Sequence, residues 1–301
     1  MSASFGEYHP LAALCYYIAV VILAAVIRSP LFLLSALGLV ALVNVAQDGG
    51  RSLKRYLKAY LAMALAVALL NPLFSHRGAT VLFYLGENAF TLEAVVYGLT
   101  AGMSLLVIVW VFVSFNLIIT GDKFLFLFGR VARQSALVAM MALGFIPRLR
   151  ERLDELQLVL RARGAALADA SLRERARLLL EMVGALTAWT LEDGAQLAQS
   201  MTARGYGVSR RRTSFARYRW RRRDSGFVVL LALLMAAVAV LWPRAAQGFA
   251  LYPRLAGLDW GAPVVWLCFG AYCAVLALPL LAEAWAYGRY SLWQRRQAIR
   301  G

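Results

Sequence analysis

Six runs of apolar residues, of about the length that crosses a bilayer, constrain this chain more than any other feature of its sequence. They cover residues 11–27, 30–47, 57–74, 94–119, 227–242 and 262–287. A transmembrane helix needs about 20 mostly apolar residues, within a range of roughly 17 to 25. We therefore predict an all-α, polytopic membrane protein with about six transmembrane helices and long cytoplasmic helices.

The overall composition also indicates that the chain is embedded in a lipid bilayer. Of the 301 residues, 61% are hydrophobic and 16% are charged, whereas about 25% are charged in a typical soluble domain. The net charge of +16 then favours arginines at the cytoplasmic face of a membrane over a nucleic-acid footprint. Cys15, Cys268 and Cys273 show no metal or redox spacing, and the two histidines are too few for a metal cluster. No metal site is predicted.

The charges of the loops predict the orientation of the spans. Loops 48–58 and 120–135 and the tail 289–301 are basic, whereas segment 75–93 carries one arginine and two glutamates. Because cytoplasmic loops are enriched in Lys and Arg, both termini should be cytoplasmic and segment 75–93 external. The apolar piece 134–147 has only 14 residues, so we expect an interfacial or re-entrant helix there rather than a seventh span.

Three regions follow from this pattern. Residues 1–147 should form an N-terminal membrane region, residues 148–224 a cytoplasmic region, and residues 225–301 a C-terminal membrane region. The middle region holds 17 Arg or Lys and 9 Asp or Glu residues, yet its apolar residues keep helical spacing. Ser171 and Glu174 have the spacing of a capping box that opens a second helix.

Each helix of the middle region carries an apolar stripe that ends in an arginine. The first stripe leads to Arg163 and the second to Arg204. The stripes consist of Leu149, Leu153, Leu156 and Leu160 in the first helix, and of Ala176, Val183, Thr190 and Leu197 in the second.

Both arginines lie in the same tripeptide, which recurs after 41 residues as Ala162-Arg163-Gly164 and Ala203-Arg204-Gly205. Alanine permits close approach of a partner surface, and glycine lets the chain leave the helix through a left-handed turn. An arginine on the contact face can then donate several hydrogen bonds to carboxylates or carbonyls. The alternative is a chance repeat in an Ala- and Arg-rich chain, with Gly as a helix cap and Arg offsetting the helix dipole. The matched stripes and shared location favour two docking ends.

These residues resemble the transmembrane T component of energy-coupling factor (ECF) transporters, the EcfT/CbiQ group. The likeness runs to about residue 240, and the paired Ala-Arg-Gly motifs are its specific signal. Further matches are His9-Pro10, Asn71-Pro72-Leu73, Phe145-Ile146-Pro147, Arg161, Tyr206, Arg212-Thr213, Trp220 and Asp224. The last span, 262–287, goes beyond the expected pattern.

The resemblance implies a non-catalytic subunit of an ATP-driven importer in a prokaryotic cell membrane. In the family, the two motifs cap coupling helices that seat in grooves of two ABC-type ATPase subunits, so Arg163 would engage one ATPase and Arg204 the other. The subunit would pass ATP-driven motion to a membrane-embedded S component that carries a vitamin or a cobalt or nickel ion. It would bind no cofactor directly, because ATP and Mg²⁺ would sit on the ATPases. The sequence accordingly has no phosphate-binding loop.

Two other classes remain as alternatives. A secondary transporter would place ionisable residues at membrane depth, and Glu283 is the one clear example. An integral membrane enzyme would need converging groups, but Glu192 and Asp193 are adjacent and point about 100° apart on a helix. We predict that both are solvated and that no residue is catalytic.

Two other motifs have ordinary explanations. The eight arginines of segment 210–223 suit anionic lipid headgroups better than nucleic acid, because the segment adjoins a span. Gly98 and Gly102 form a G-x-x-x-G motif that predicts close helix packing, within the chain or against an S component.

Overall fold

The apolar runs of the sequence form helices in a computed structural model of the chain. The structure describes residues 4–74, 78–85, 88–129, 133–163, 171–208, 218–252 and 255–298. Its helices are α1 (Pro10–Val26), α2 (Pro30–Asp48), α3 (Arg51–Phe74), α4 (Leu92–Ile118), α5 (Gly121–Phe128), α6 (Arg133–Ala162), α7 (Leu172–Ala203), α8 (Arg222–Ala245) and α9 (Pro263–Ala298). A 3₁₀ turn at Ser4–Glu7 precedes α1, and an antiparallel hairpin, β1 (Val81–Leu85) with β2 (Asn88–Thr91), joins α3 to α4.

The membrane-protein class is confirmed by the length and composition of these helices. Five of them contain segments long and apolar enough to cross a bilayer: Pro30–Asp48, Leu57–Phe74, Leu92–Ile118, Arg222–Ala245 and Pro263–Ala284. The remaining predicted span, 11–27, corresponds to α1, which is apolar but shorter, at 17 residues. Leu61, Leu65 and Leu69 on α3 remain 57–58% exposed, and an outward row of leucines of this kind suits lipid rather than water.

Local capping signals decide where several helices begin and end. Pro10 opens α1, and the His9 imidazole caps it by accepting from the Leu11 backbone N–H at 3.2 Å. At the end of α2, Gly49 adopts φ +62°, the left-handed conformation that glycine reaches without a steric cost. The Thr91 hydroxyl accepts from the Ala94 N–H at the start of α4. These signals are short-range, which explains why the predicted span ends lie within two residues of the helix ends at these three caps. Helices α3 and α8 begin earlier, and α9 ends later, than the predicted spans 57–74, 227–242 and 262–287.

The chain divides into two compact units. Residues 1–124 and 218–301 form the first, which we call the membrane unit, and residues 125–217 form the second, the helix-pair unit. In the membrane unit α4 packs against α1, α2 and α3, while α9 packs against α2 and α8. Its core includes Phe5, Tyr16 and Phe227, whose rings lie 5.6–6.3 Å apart between centroids.

Segment 134–147 is not a separate helix in the structure. It forms the first half of α6, which continues without a break through Pro147 to Ala162. A proline inside a helix removes one backbone donor and usually kinks the helix. Here the helical spacing of the apolar residues continues beyond the proline, so one long helix joins the apolar piece 134–147 to the leucine stripe that begins at Leu149.

Candidate functional site

Helices α6 and α7 of the helix-pair unit contact each other through charged and aromatic side chains. Arg148 on α6 donates to the Asp193 carboxylate on α7 at 2.9 Å. One turn further along α6, the Arg152 guanidinium lies over the Trp189 ring, 4.7 Å from its centroid. A cation placed at this distance over an indole face is attracted by the ring quadrupole. The residue numbers rise on α6 as they fall on α7, so the two helices run in opposite directions where they meet.

The contact between α6 and α7 is symmetric with respect to the two tripeptides. Arg163 lies 15 residues beyond Arg148 and 11 beyond Arg152, while Arg204 lies 15 beyond Trp189 and 11 beyond Asp193. The same 41-residue offset relates Arg148 to Trp189 and Arg152 to Asp193. It therefore maps the Arg148–Asp193 contact onto the Arg152–Trp189 contact, and the reverse. With a rise of 1.5 Å per residue, each arginine lies about 20 Å along its helix from the crossing. The two helix ends point away from each other as an approximate two-fold pair.

The predicted stripe on α6 is the face that the structure packs. Leu149, Leu153, Leu156 and Leu160 are all half-buried, whereas Leu158 is 65% exposed. Arg163 follows this stripe and is exposed. Its backbone N–H donates to the Val159 carbonyl at 3.1 Å, so the helical bonding reaches the arginine itself.

The predicted stripe on α7 needs a correction. Val183 is 58% exposed and Ala176 is also exposed, whereas Met182 is only 4% exposed. The face that is packed consists of Leu178, Met182, Leu186, Trp189, Thr190, Asp193, Leu197 and Met201. Strict seven-residue steps drift by about 20° per heptad around a straight helix. They therefore leave the packed face within two or three heptads.

The end of α7 is a Schellman motif built around the second tripeptide. The helix ends at Ala203, with Arg204 as its C-cap, and Gly205 adopts φ +82°. The Gly205 N–H donates to the Thr202 carbonyl at 2.9 Å, and the Tyr206 N–H donates to the Met201 carbonyl at 3.0 Å. These are the two bonds that define the motif. The glycine thus serves as a helix cap, and it also turns the chain away so that Arg204 stands at the tip.

Neither arginine side chain is used within the described part of the chain. Arg163 and Arg204 are both exposed, and neither makes a side-chain hydrogen bond or ion pair with any described residue. Ala162 and Ala203 end the two helices and are exposed as well. Gly164 lies outside the described residues. An exposed guanidinium at a helix tip, beside a small residue, retains all five donors for a partner.

The predicted capping box at the start of α7 is present. The Ser171 hydroxyl accepts from the Glu174 backbone N–H, and the Glu174 carboxylate accepts from the Ser171 N–H at 3.1 Å. The Ser171 hydroxyl donates to the same carboxylate at 2.9 Å. These bonds from Ser171 lower the pKa of the Glu174 carboxyl from its usual value. The box fixes where α7 begins, and hence where Arg204 falls along it.

The three acidic residues weighed for an enzyme or a secondary transporter have different surroundings in the structure. Asp193 is in the ion pair with Arg148 and its side chain is 25% exposed, so the expectation that it is simply solvated was wrong. Glu192 accepts from Gln196 on its own helix and does not share a site with Asp193. Glu283 is 5% exposed, and one of its carboxylate oxygens has no hydrogen-bond partner in the part of the chain that the structure describes. Among the described residues no group of three His, Cys, Asp or Glu side chains could hold a metal ion.

The two glycines of the G-x-x-x-G motif lie against α3. A Cβ on Gly98 would stand 2.5 Å from the Ala68 carbonyl oxygen, and one on Gly102 would stand 2.6 Å from that of Ala64. Both distances are far below van der Waals contact, so the backbones of α3 and α4 meet at these positions. Asn71, from the Asn-Pro-Leu motif, donates to the Ala94 carbonyl at 2.9 Å and joins the same two helices.

Sequence reasoning missed one cluster of the membrane unit. The His9 ring packs against Trp220 at 4.9 Å between centroids, and the His9 N–H donates to Asp224 at 3.2 Å. Arg223 and Lys123 also reach the N-terminal turn. These residues are separated by up to 215 positions in the chain. No local pattern could have indicated that they meet.

The fold and the helix pair together define a polytopic α-helical membrane protein that carries a separate, polar pair of helices. A family model described as CbiQ, cobalt transport protein, matches residues 4–215. The chain belongs to this family, as the paired tripeptides predicted.

Relatives with the name energy-coupling factor transporter transmembrane protein EcfT match part of the chain. The protein from Bacillus selenitireducens is 35% identical over 109 residues, which is 36% of this chain and 40% of the relative. Those from Brevibacillus brevis and Bacillus subtilis are 34% and 29% identical over 109 and 106 residues, or 36% and 35% of this chain and 40% of each relative. The chain thus spans about 40% of the length of the relatives that it matches.

Proposed function

We propose that this protein is the transmembrane coupling subunit of an ECF-type ABC importer. It transmits ATP hydrolysis by two ATPase subunits to a membrane-embedded S component that binds the cargo. The protein itself is non-catalytic and binds no cofactor, because ATP and Mg²⁺ are held by the ATPases. It resides in the cell membrane of a prokaryote with both termini in the cytoplasm. Family membership and the names of the EcfT relatives support this assignment.

The observation that carries the proposal is the symmetry of the two arginine tips. Arg163 and Arg204 lie the same number of residues beyond the point where α6 and α7 cross. The two contacts at that crossing are also related to each other by the 41-residue offset. Two similar partner subunits related by a two-fold axis would present two similar grooves, and one chain can fill both only if it carries two equivalent ends. A single partner or a substrate site would give no reason for this duplication.

The chemistry of the tips suits a protein groove. A guanidinium donates through a planar fork that matches carboxylates and backbone carbonyls, and it is less strongly hydrated than an ammonium group. When it is seated in a groove, it loses water and gains several hydrogen bonds to acceptors. Removing it then leaves those acceptors buried without partners, which costs roughly 2–5 kcal/mol.

The same family supports a proposal for the class of cargo. The family model is described as a cobalt transport protein, and the named relatives are ECF transporter subunits. We propose a vitamin or a transition-metal ion, cobalt or nickel, bound by the S component. Within the described residues this chain offers no cluster of metal-binding side chains, so a metal cargo would require its ligands on that partner.

Replacing the tip arginines tests the proposal. Arg163→Ala and Arg204→Ala should each weaken ATPase binding by about 30-fold to 4,000-fold, which corresponds to the 2–5 kcal/mol range. Lys at either position should rescue only partly, because it keeps the charge but loses the fork. Membrane insertion and yield should stay close to wild type, since both side chains are exposed.

Two exposed arginines on the same helices serve as matched controls. Arg150→Ala on α6 and Arg173→Ala on α7 remove the same charge away from the tips and should leave ATPase binding within about twofold, as is usual for surface changes. ATP hydrolysis should copurify with the partner subunits and be absent from the isolated chain. Wild-type assembly of Arg163→Ala and Arg204→Ala, or hydrolysis by the isolated polypeptide, would overturn the proposal.

A further inference from the structure

The first turns of α3 carry four cations on one face of the helix. They stand at positions i, i+3, i+4 and i+7, and side chains at this spacing lie next to one another along a helix. All four are exposed, and we call them the basic stripe: Arg51, Lys54, Arg55 and Lys58.

The chain does not neutralise the charge of the basic stripe. Within the described residues none of its four cations forms an ion pair. Asp48, at the end of α2, is the carboxylate that interacts electrostatically with Arg51 and Arg55. It accepts from the Ser52 hydroxyl at 2.6 Å and from the Ser52 N–H at 3.0 Å. With Asp48 counted against the stripe, three positive charges remain, and such a cluster beside a membrane span attracts anions.

The same face of α3 continues as a row of exposed leucines. The row advances in steps of four residues, and its members are 48–58% exposed: Leu61, Leu65, Leu69 and Leu73. Leu69 is 18 residues beyond Arg51, which is five full turns of an α-helix, so the row lies in line with the basic stripe. A different side of α3, with Ala64 and Asn71, meets α4.

The dimensions of this face match one leaflet of a bilayer. With a rise of 1.5 Å per residue, the basic stripe extends over about 10 Å and the leucine row over about 18 Å. One leaflet has about 15 Å of hydrocarbon and roughly 5–8 Å of headgroup region, and Lys and Arg side chains can extend towards the headgroups. The segment of α3 that is apolar enough to span a membrane begins at Leu57, where the basic stripe ends.

We propose that the basic stripe and the leucine row together form a binding site for an anionic phospholipid. Its phosphate contacts the stripe, where a guanidinium offers a planar fork of donors and an ammonium group a point charge. Its acyl chains lie along the leucines. A free phosphate would leave the leucines uncovered, and a zwitterionic lipid would leave the charge of the stripe uncompensated. The site belongs to the membrane unit alone and does not depend on the ATPase partners of the proposed function.

The site is tested by native mass spectrometry of the full-length chain, with phosphatidylglycerol and phosphatidylcholine as probes. The wild type should bind phosphatidylglycerol at least about tenfold more tightly, because each cation near a headgroup strengthens the binding of an anionic lipid several-fold. Glutamine at all four positions of the stripe should reduce this preference to about twofold or less. Lys54→Gln with Lys58→Gln keeps both arginines, and hence a basic loop that orients α3, and should leave a preference of about threefold.

Two further variants separate the headgroup from the acyl chains. Glutamine at four scattered arginines removes the same charge elsewhere and should leave the preference unchanged; these exposed residues are Arg150, Arg161, Arg173 and Arg244. Leu65→Ala with Leu69→Ala should weaken both lipids by about threefold or more through lost apolar contact, with the preference between them kept.

Four results would overturn the lipid site. The first is equal binding of the two lipids by the wild type, and the second is an equal loss of preference in the stripe variant and the scattered variant. The third is displacement of phosphatidylglycerol by millimolar glycerol 3-phosphate, which would show that the acyl chains contribute nothing. The fourth is a stripe variant that keeps its lipid preference but no longer assembles with its partner subunits, which would assign this face to a protein.

Discussion

At the scale of single residues, the glycines of this chain do two different things. Gly205 is needed for its backbone conformation, because the Schellman motif at the end of α7 places it at φ +82° with open space around it. Gly98 and Gly102 are needed for their lack of a side chain, because carbonyl oxygens of α3 occupy the places where their Cβ atoms would stand. Substitution by alanine should therefore fail for different reasons at the two kinds of position.

Gly205→Ala should loosen the end of α7. Alanine at a left-handed position is strained by about 1–2 kcal/mol, so the amides at residues 204–206 should exchange faster and ATPase binding should weaken with the misplaced Arg204. Gly184→Ala is the matched control, since Gly184 is inside the same helix with open space around it. Alanine there should stabilise α7 by roughly 0.5–1 kcal/mol. Equal effects of the two changes on α7 would contradict the cap assignment.

Gly102→Ala should separate α3 from α4. Its Cβ would lie 2.6 Å from a backbone oxygen, which cannot move aside as a flexible side chain could, and overpacking of this kind costs typically 1–3 kcal/mol. We expect a lower midpoint of thermal unfolding in detergent. Gly38→Ala on α2, with nothing within 4 Å of the new Cβ, should leave the midpoint unchanged or raise it. A Gly102→Ala protein as stable as the wild type would show that the two backbones do not meet there.

At the scale of elements, α6 and α7 are long helices whose lengths set the positions of their tips. The capping box fixes the first turn of α7, and the Schellman motif fixes its last turn. Between them Arg148 and Arg152 contact Asp193 and Trp189. Since a helix has a constant rise, the two caps of α7 and the crossing fix how far Arg204 extends.

The capping box makes the start of α7 sensitive to acid. Because the bonds from Ser171 lower the folded-state pKa of Glu174, their stabilisation is present at neutral pH and is lost as the pH falls through that lowered value. Hydrogen exchange at residues 172–175, corrected for its intrinsic pH dependence, should show this loss below the usual carboxyl range. Ser171→Ala should remove the pH effect, while Glu151→Gln on α6 should keep it. A wild-type helix start with no acid response would contradict the box.

At the scale of the whole molecule, contacts within the membrane unit show which loops share a side. Arg28, between α1 and α2, donates to Tyr97 near the start of α4, and the Tyr97 ring lies 5.3 Å from that of Tyr252, beyond α8. At the other ends of the helices, His9, Lys123 and Asp224 gather around the N-terminal turn. The pairing of loops is therefore set by the fold, while the charges of the loops predict which side faces the cytoplasm.

Cysteine labelling should reveal the orientation. In a background without Cys15, Cys268 and Cys273, Ala79→Cys next to the hairpin should react with an impermeant maleimide on intact cells. Arg150→Cys on α6 should react only after permeabilisation, because the basic segment is expected in the cytoplasm. The reverse pattern would invert the orientation but leave the pairing of loops intact.

The sequence by itself determined the helices, most of their ends and the arginine tips. Apolar runs of bilayer length, prolines, the Ser171–Glu174 spacing and Gly205 all act over a few residues, so their consequences can be read locally. The predicted stripe on α7 was right at Thr190 and Leu197 and wrong at Ala176 and Val183, because a strict seven-residue step drifts around a straight helix. The packed face includes Met182 instead of Val183.

Only the tertiary structure decided which surfaces meet. The partner of Gly98 and Gly102 could have been another span or another subunit, and it is α3. Asp193 is paired with an arginine from another helix rather than solvated. His9 and Asp224, 215 residues apart, share a hydrogen bond. Such contacts depend on how all the helices pack at once, because each buried polar group must find its partner wherever the fold brings one. The local sequence around each group does not show which partner that will be.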